Sequence, residues 1–320
     1  MTIAHRLARA GLMGLLGLGL AVNAGAQPAS SPAAAPALSL VVLGSGGPGA
    51  TGRAGASYLV LVDGTPRILV DAGPGSFARL GESKLSLAKV DVVLLTHLHV
   101  DHAGELPGLF KARAVSSNGP IRFRVFGPDG HKGSGDDASF PSTTRFVDLL
   151  FGADGAFGYL RNVSAPMTIL PTDIPATLRP DVSPTKVYDE GDLVVSAIAG
   201  HHRDAPAVIY RIDHAGKSIT FSGDIDADGL PDLRRISKGT RLLVFNSVVL
   251  DPPGSPAILY TLHTPPKAIG EIAEEAHAGK LLLSHLSPVI DNAQQGVSAS
   301  IAGRYKGTVV FATDGMRVEP

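Results

Sequence analysis

Cysteine is absent from the 320-residue chain, and its absence removes several kinds of chemistry. No disulfide can form, no thiolate can bind a metal, and no cysteine nucleophile is available. Any metal site must therefore use imidazole and carboxylate ligands. Stability must come from the core and from any metal that the folded protein binds.

An excess of charge of either sign is also missing. The 28 Lys and Arg residues face 29 Asp and Glu residues, so the formal net charge is -1. Because a broad nucleic-acid interface needs surplus cations to displace counterions from phosphates, this balance argues against a nucleic-acid partner. A small anionic substrate remains compatible with it, since bound metal ions can supply positive charge locally.

The apolar run near the amino terminus is too short to span a bilayer. It covers residues 10–22, whereas a membrane helix needs roughly 20 residues. Weakly basic residues precede it, and Ala24-Gly25-Ala26 forms a small-x-small cleavage pattern. We therefore predict a signal peptide over 1–26, with an uncleaved anchor as the alternative. A periplasmic or secreted protein without a stable membrane anchor is expected, with a flexible Ala/Ser/Pro linker over 27–36.

The remaining chain, 37–320, is interpreted as one domain. Short apolar runs such as Val90–Leu95 have the pattern of buried strands, and Asp63-Gly64 lies between two further strand-like runs as in a hairpin. Strands that lead into helices, in two successive sets, predict an α/β sandwich. The glycine-rich run Gly44–Gly49 is interpreted as a turn or active-site loop, because it lacks the lysine and following helix of a phosphate-binding loop.

Three of the 11 histidines fall within six residues, at His97, His99 and His102, together with Asp101. This ligand set suits a divalent metal such as zinc, although manganese or iron could use a similar shell. An extended backbone points alternate residues to the same side, so His97 and His99 can share one metal. Asp101 and His102 follow where the chain turns toward the next helix, and can face a second metal.

The run Thr96–His102 resembles the His-x-His-x-Asp-His signature of the metallo-β-lactamase superfamily. The resemblance covers nearly all of 37–320, from the Gly44–Gly49 loop to the last strands. It implies a four-layer αββα sandwich, with a mononuclear or dinuclear metal site at the edges of the sheets. Domain 37–320 is accordingly expected to be a metallo-hydrolase domain.

Other elements of the family pattern follow along the chain. Asp71 resembles the family's supporting aspartate, with a plain turn as the alternative. The third histidine ligand is assigned to His202, which stands before a Pro-Ala-x-x-Tyr-Arg strand, and His201 remains the alternative. Asp224 resembles the carboxylate that bridges both metals, and His285 resembles the final ligand.

The resemblance thus implies two divalent metal ions, with zinc favoured, and a bridging hydroxide as nucleophile. His97, His99 and His202 would hold the first metal, and Asp224 would bridge. The second metal would bind Asp101, His102 and His285. Asp101 is also expected to serve catalysis.

Three features narrow the branch of the family. Asp224 stands where class B β-lactamases carry Cys or Ser, which argues against lactam hydrolysis. His263, in Leu262–Pro266, resembles a substrate-contacting histidine of the ribonuclease Z-like and arylsulfatase-like branch, although it could be only an N-terminal helix residue. The interval from His202 to Asp224 is too short for the long tRNA-binding arm of ribonuclease Z, so tRNA processing is not expected.

These features predict an exported dinuclear hydrolase of a small phosphoric or sulfuric ester. A lactonase or other carboxylic-ester hydrolase is the alternative enzyme, and a metal-retaining binding protein is the non-enzyme alternative. The expected partner is a small-molecule ester and no nucleic acid, with a homodimer left open. The aromatic-rich insertion 128–161 would form an apolar lid, a dimer contact or part of the core.

Overall fold

The computed structural model describes residues 35–320 except Ala50, Asp136 and Asp137. The proposed signal peptide and most of the linker therefore lie outside the described residues. Within the described part of the chain, no helix is both long and apolar enough to cross a membrane.

The described residues form fourteen strands and eight α-helices. The strands are β1 (Leu38–Gly44), β2 (Ser57–Val62), β3 (Thr65–Ala72), β4 (Val92–Leu94), β5 (Ile121–Pro128), β6 (Met167–Ile174), β7 (Thr185–Glu190), β8 (Leu193–His202), β9 (Ala205–His214), β10 (Lys217–Phe221), β11 (Leu242–Asn246), β12 (Lys280–Ser284), β13 (Thr308–Phe311) and β14 (Arg317–Val318). The helices are α1 (Ser76–Ser83), α2 (Val100–Ala103), α3 (Leu106–Val115), α4 (Thr143–Phe151), α5 (Leu230–Ser237), α6 (Pro266–Glu275), α7 (Pro288–Asp291) and α8 (Gln294–Ala302).

The strands form two seven-stranded sheets, in the orders β14-β1-β2-β3-β4-β5-β6 and β13-β12-β11-β10-β9-β8-β7. In each sheet an antiparallel part leads into a parallel part. Strands β3 to β6 are parallel, and so are β10 to β13. The carboxyl ends of parallel strands meet at one edge of a sheet, which is where α/β proteins place ligands.

Three apolar clusters define four layers. One lies between the sheets and includes Val60, Tyr210 and Phe221. A second joins the outer face of the first sheet to α1, α3 and α4, and a third joins the outer face of the second sheet to α5, α6 and α8. The αββα sandwich expected from the sequence is confirmed.

Local expectations held less uniformly. The hairpin around Asp63-Gly64 forms as β2 and β3. Apolar residues at helical spacing over 103–114 predict one helix, but the structure has two here, α2 and α3, separated at Gly104-Glu105. This break lets α2 belong to the histidine loop, while α3 packs on the sheet through residues such as Leu109 and Phe110.

Candidate metal centre

The histidine loop leaves the carboxyl end of β4. That strand is fully buried, and His97 follows it with no exposed surface. His99 precedes the first turn of α2 in an extended conformation, and α2 then carries Asp101 and His102. One short segment thereby turns four potential ligands toward the edge shared by the two sheets.

The first predicted ligand group lies together. The His97 Nε2 and His99 Nδ1 atoms are 3.1 Å apart. The His202 ring, at the end of β8, lies 5.0 Å from that of His97 and 5.1 Å from that of His99. One nitrogen from each of the three lies within 4.8 Å of the others, which is compatible with a shared metal ion.

The second predicted group also lies together. His285 Nε2 is 3.1 Å from Asp101 Oδ2, and His102 Nε2 is 3.8 Å from the same oxygen. The His102 and His285 rings stack with centroids 4.8 Å apart. His285 comes directly after β12, so the second sheet completes a group that the first sheet begins.

Asp224 lies between these groups, in the loop after β10. Its Oδ2 atom is 3.7 Å from the Nε2 atoms of both His102 and His202, and 3.5 Å from that of His285. Its Oδ1 atom accepts a hydrogen bond from Asn246 Nδ2 at 2.6 Å. A carboxylate that faces histidines of both groups has the position required to bridge two cations.

Asp71 orients the histidine loop. Its Oδ1 atom accepts the backbone N–H of Thr96 at 2.7 Å, and its Oδ2 atom lies 2.8 Å from Thr96 Oγ1 and His102 Nδ1. With Nδ1 held in this way, His102 presents Nε2 toward Asp224 and Asp101. A carboxylate behind a ligating imidazole is the usual way to fix its tautomer and direction.

The two adjacent histidines at the end of β8 have different environments. His202 is buried, and its Nδ1 atom is held 2.8 Å from the Leu262 carbonyl oxygen, so that Nε2 faces the centre. His201 turns away, with Nδ1 at 2.7 Å from Asp226 Oδ2. This geometry favours the assignment to His202. His201, Asp226 and Asp228 form a separate acidic cluster, in which Asp226 is already engaged by His201 and by backbone N–H groups.

His263 is brought to the same centre, although it was expected only as a substrate-contacting residue. It lies three residues before α6, is buried, and has Nδ1 at 3.8 Å from Asp224 Oδ2. Its ring is 5.3 Å from that of His202. Together with His202 and Asp224, it forms a further group with a spacing suited to a metal.

Two loops border the centre. A Cβ atom on Gly47 would lie 3.3 Å from the His285 ring, which is closer than an ordinary van der Waals contact. The glycine-rich loop therefore packs directly against this histidine. In the insertion, Phe140 pairs with His131 in an isolated bridge and places its ring 5.6 Å from that of His99. The insertion aromatics Phe146, Phe151 and Phe157 pack in the outer apolar cluster, whereas Tyr159 is exposed.

Charge in the centre is strongly coupled. Burial raises the pKa of Asp224, but His285, His102 and His263 outweigh it and hold that pKa well below its usual range. Burial and His102 lower the pKa of His97. For Asp101, burial acts upward, yet the hydrogen bond to His285 and nearby His102 bring the pKa to about 2.

The donor set fits divalent cations. His102 Nε2 and the Nδ1 atoms of His263 and His285 are buried and have no hydrogen-bond partner among the described residues. Unsatisfied buried imidazole nitrogens around an ionised carboxylate are costly unless something binds them. The residues expected as ligands are therefore brought together, with buried nitrogens that a cation would satisfy, and their binding of metal stays a prediction.

Asn246 was not anticipated as part of the centre. It ends β11, the strand parallel to β10, and its side chain contacts Asp224 directly. The neighbouring ends of parallel strands meet at one sheet edge, and this rule could have identified it. Single-residue motifs are weak, however, and Asn246 carries no metal-ligand signature of its own.

Comparisons with known proteins give a consistent family. A family model described as the metallo-beta-lactamase superfamily matches residues 50–237. A ribonuclease Z of Mycobacterium sp. (strain KMS) is 26% identical over 292 residues, covering 88% of this chain and 96% of that protein. A ribonuclease Z of Mycobacterium avium (strain 104) is 27% identical over 296 residues, covering 88% and 98%.

Solved structures give the same fold. The short form of human tRNase Z has a TM-score of 0.64 at 21% identity, covering 88% of this chain and 98% of that one. The metallo-beta-lactamase fold protein YhfI from Bacillus subtilis has a TM-score of 0.63 at 22% identity, covering 88% and 99%. At these identities the likeness concerns the fold alone.

The expectation of no nucleic-acid partner is wrong, because the curated relatives that match along most of the chain are named ribonuclease Z. Two inferences failed here. The interval from His202 to Asp224 is filled by β9 and β10, so its length says only that these sheet strands connect directly. The second inference used the net charge of the whole chain, which does not show where basic side chains cluster on the surface.

Proposed function

The chain belongs to the metallo-beta-lactamase superfamily of metal-dependent hydrolases, and we propose that it is a dinuclear phosphodiesterase whose substrates include RNA. The metal-dependent hydrolysis follows from the family. The phosphodiester bond, the RNA substrate and zinc as the metal are the proposed part. Export, expected from residues 1–26, stays a prediction.

The position of Asp224 is the observation that carries this proposal. Its Oδ2 atom lies 3.5–3.8 Å from nitrogens of His102, His202, His263 and His285. When bound, a divalent pair would activate water and neutralise charge on an anionic phosphate. His97, His99 and His202 would hold one ion and Asp101, His102 and His285 the other, with Asp224 between them.

The chain's own residues would orient an anionic substrate. Burial lowers the pKa of His263 to about 4, so at neutral pH its ring is uncharged and can donate one N–H to a substrate oxygen. Asp101, with a pKa near 2, stays ionised and serves as ligand rather than as proton donor. Asn246 keeps the Asp224 carboxylate in place from behind.

The ribonuclease Z relatives support RNA as substrate, since they match 88% of the chain at 26–27% identity. Aryl sulfates and lactones remain the competing substrate classes, because the same pair of cations would polarise those bonds too. No feature of the centre favours either of them over a phosphodiester.

The proposal is tested with a substrate panel on metal-loaded protein. The panel contains a single-stranded RNA, an aryl phosphodiester, an aryl sulfate and a lactone, and elemental analysis measures bound metal. We expect cleavage of RNA and the aryl phosphodiester, and two metal ions per chain. Turnover confined to the sulfate or the lactone would show that the proposal is wrong.

A matched pair of variants ties that activity to the centre. Asp224→Ala should lower phosphodiester turnover at least about a thousandfold and reduce bound metal, because loss of one group that stabilises developing charge already costs 10²–10³. Asp226→Ala, two residues on, removes a carboxylate that contacts His201 instead. It should retain most of the activity and both metal ions.

A further inference from the structure

A second polar cleft lies at the opposite edge of the first sheet from the metal centre. It measures about 630 Å³ and is formed where β3, β4 and β5 begin. These strands are parallel, and the histidine loop follows the carboxyl end of β4. A ligand in this cleft would therefore be separated from the metal centre by the length of the strands. The lining residues that carry charge are Arg67, Lys89, Arg113, Arg122, Asp63 and Asp91.

The acidic side chains of the cleft already have basic neighbours. Asp91 Oδ1 lies 3.8 Å from an Arg67 nitrogen, and Asp63 Oδ2 lies 3.3 Å from His214 Nε2. Arg67 also contacts Glu190 at 3.0 Å. Each of these two carboxylates therefore has a basic side chain within 4 Å.

Three basic side chains of the cleft have no acidic partner among the described residues. Lys89, Arg113 and Arg122 form no ion pair with any residue that the structure describes. They come from three different segments, namely the turn before β4, the last turn of α3 and the start of β5. Cations that converge from separate segments without acidic partners form a local positive surface in a chain of nearly neutral net charge.

Arg113 is the most informative of the three. Its Nε atom is buried and has no hydrogen-bond partner among the described residues. Burial lowers the pKa of this guanidinium, and Asp91 only partly offsets that effect. A partly desolvated guanidinium with an unused donor is stabilised by an oxyanion, whose geometry the planar fork matches.

We propose that this cleft binds the phosphate group of a second ligand, at a site separate from the metal centre. Lys89, Arg113 and Arg122 would contact the phosphate oxygens. The shared chemistry is a phosphate group, whether free or carried by a nucleotide. Asp91, which also lines the cleft, would accept a hydrogen bond from a ribose hydroxyl through its carboxylate. The inference does not depend on the proposed phosphodiesterase activity.

The test uses the full-length, metal-loaded protein and hydrogen–deuterium exchange, which reports binding segment by segment. The two probes are inorganic phosphate and a ribonucleoside 5′-monophosphate. We expect either probe to slow exchange in the segments 87–92 and 111–115, which border the cleft. Phosphate bound at the metal centre would instead protect the segment 96–102, so the two sites are read separately and without an activity measurement.

Variants then assign the effect to the cations. Arg113→Gln and the more exposed Arg122→Gln should each raise the half-saturating concentration for the cleft segments about tenfold, as expected for loss of one charge-assisted hydrogen bond. Arg304→Gln is the matched control, because this exposed arginine follows α8 on the other side of the sandwich. Asp91→Asn removes a negative charge from the cleft, so it should not weaken inorganic phosphate. It should weaken the nucleotide if the ligand is a nucleotide, and neither probe if the ligand is free phosphate.

Two results would overturn the proposal. The first is an absence of protection in 87–92 and 111–115 at phosphate concentrations that saturate the metal centre. The second is an equal half-saturating concentration in Arg113→Gln, Arg122→Gln and Arg304→Gln, which would mean that the cations of the cleft do not bind the anion.

Discussion

The two sheets contribute to the metal centre in different ways. The first sheet supplies His97, His99, Asp101 and His102 from one loop, in which a single strand end positions every side chain. The second supplies its residues from the ends of several strands, one residue at a time. The ligands of the first sheet are close together in sequence, whereas those of the second are brought together only by the order of the strands. The two sets therefore differ in how well they can be predicted from sequence.

The local contribution could be predicted from residue types alone. Three imidazoles and a carboxylate within six residues, after a buried strand, indicate a metal site without knowledge of the fold. The single residues His202, Asp224 and His285 carry no such density. They could be assigned only through resemblance to a family, and it is the hydrogen bonds in the structure that favour His202 over His201.

The fold shows the same contrast. The central strand β4 has a continuous apolar run, and its position was predicted. The edge strand β7 buries only Tyr188, and α8 buries only Val297 and Ile301. Elements with so little buried apolar surface have weak periodicity, which is why both were missed.

After the loss of Asp224, the largest expected effect within the second contribution concerns the two adjacent histidines of β8. His202→Gln should lower phosphodiester turnover at least about a hundredfold and release metal, because loss of a partner that merely supports a ligand already costs 10–100-fold. His201→Gln is the matched control and should change turnover by less than about threefold. Turnover rates and elemental analysis measure both.

The reverse order of effects, with His201→Gln the more damaging, would contradict the assignment. It would mean that the end of β8 rotates by one residue when metal binds, and that local hydrogen bonds do not fix the second sheet's contribution.

A smaller effect is expected where the first sheet's loop is supported. In Asp71→Asn the side chain keeps its size, and asparagine tolerates the backbone φ of 53° found here. One carboxylate oxygen becomes an NH₂ group, however, so the side chain can no longer accept hydrogen bonds from both Thr96 and His102. Metal affinity or turnover should fall about 10–100-fold. Asp63→Asn, at φ 48° in the exposed turn before β3, makes the same change without touching the centre.

Competitive titration with a chelator measures the metal affinity of both variants. If Asp71→Asn binds metal as tightly as Asp63→Asn, the histidine loop keeps its conformation without the Asp71 carboxylate. The loop and the strand before it would then position the first sheet's ligands on their own.

The smallest predicted effect concerns a contact between the two sheets. The glycine-rich loop after β1, in the first sheet, limits the position of His285, which belongs to the second. In Gly47→Ala the new methyl group would lie 3.3 Å from the His285 ring, so the ring must shift by a few tenths of an ångström. Small displacements of catalytic groups are costly, and we expect turnover to fall roughly threefold to tenfold. Gly119→Ala is the control, because a Cβ atom there meets no described atom within 4 Å. A Gly47→Ala enzyme as active as Gly119→Ala would mean that His285 tolerates displacement. The second sheet would then position its ligands without help from the loop that follows β1.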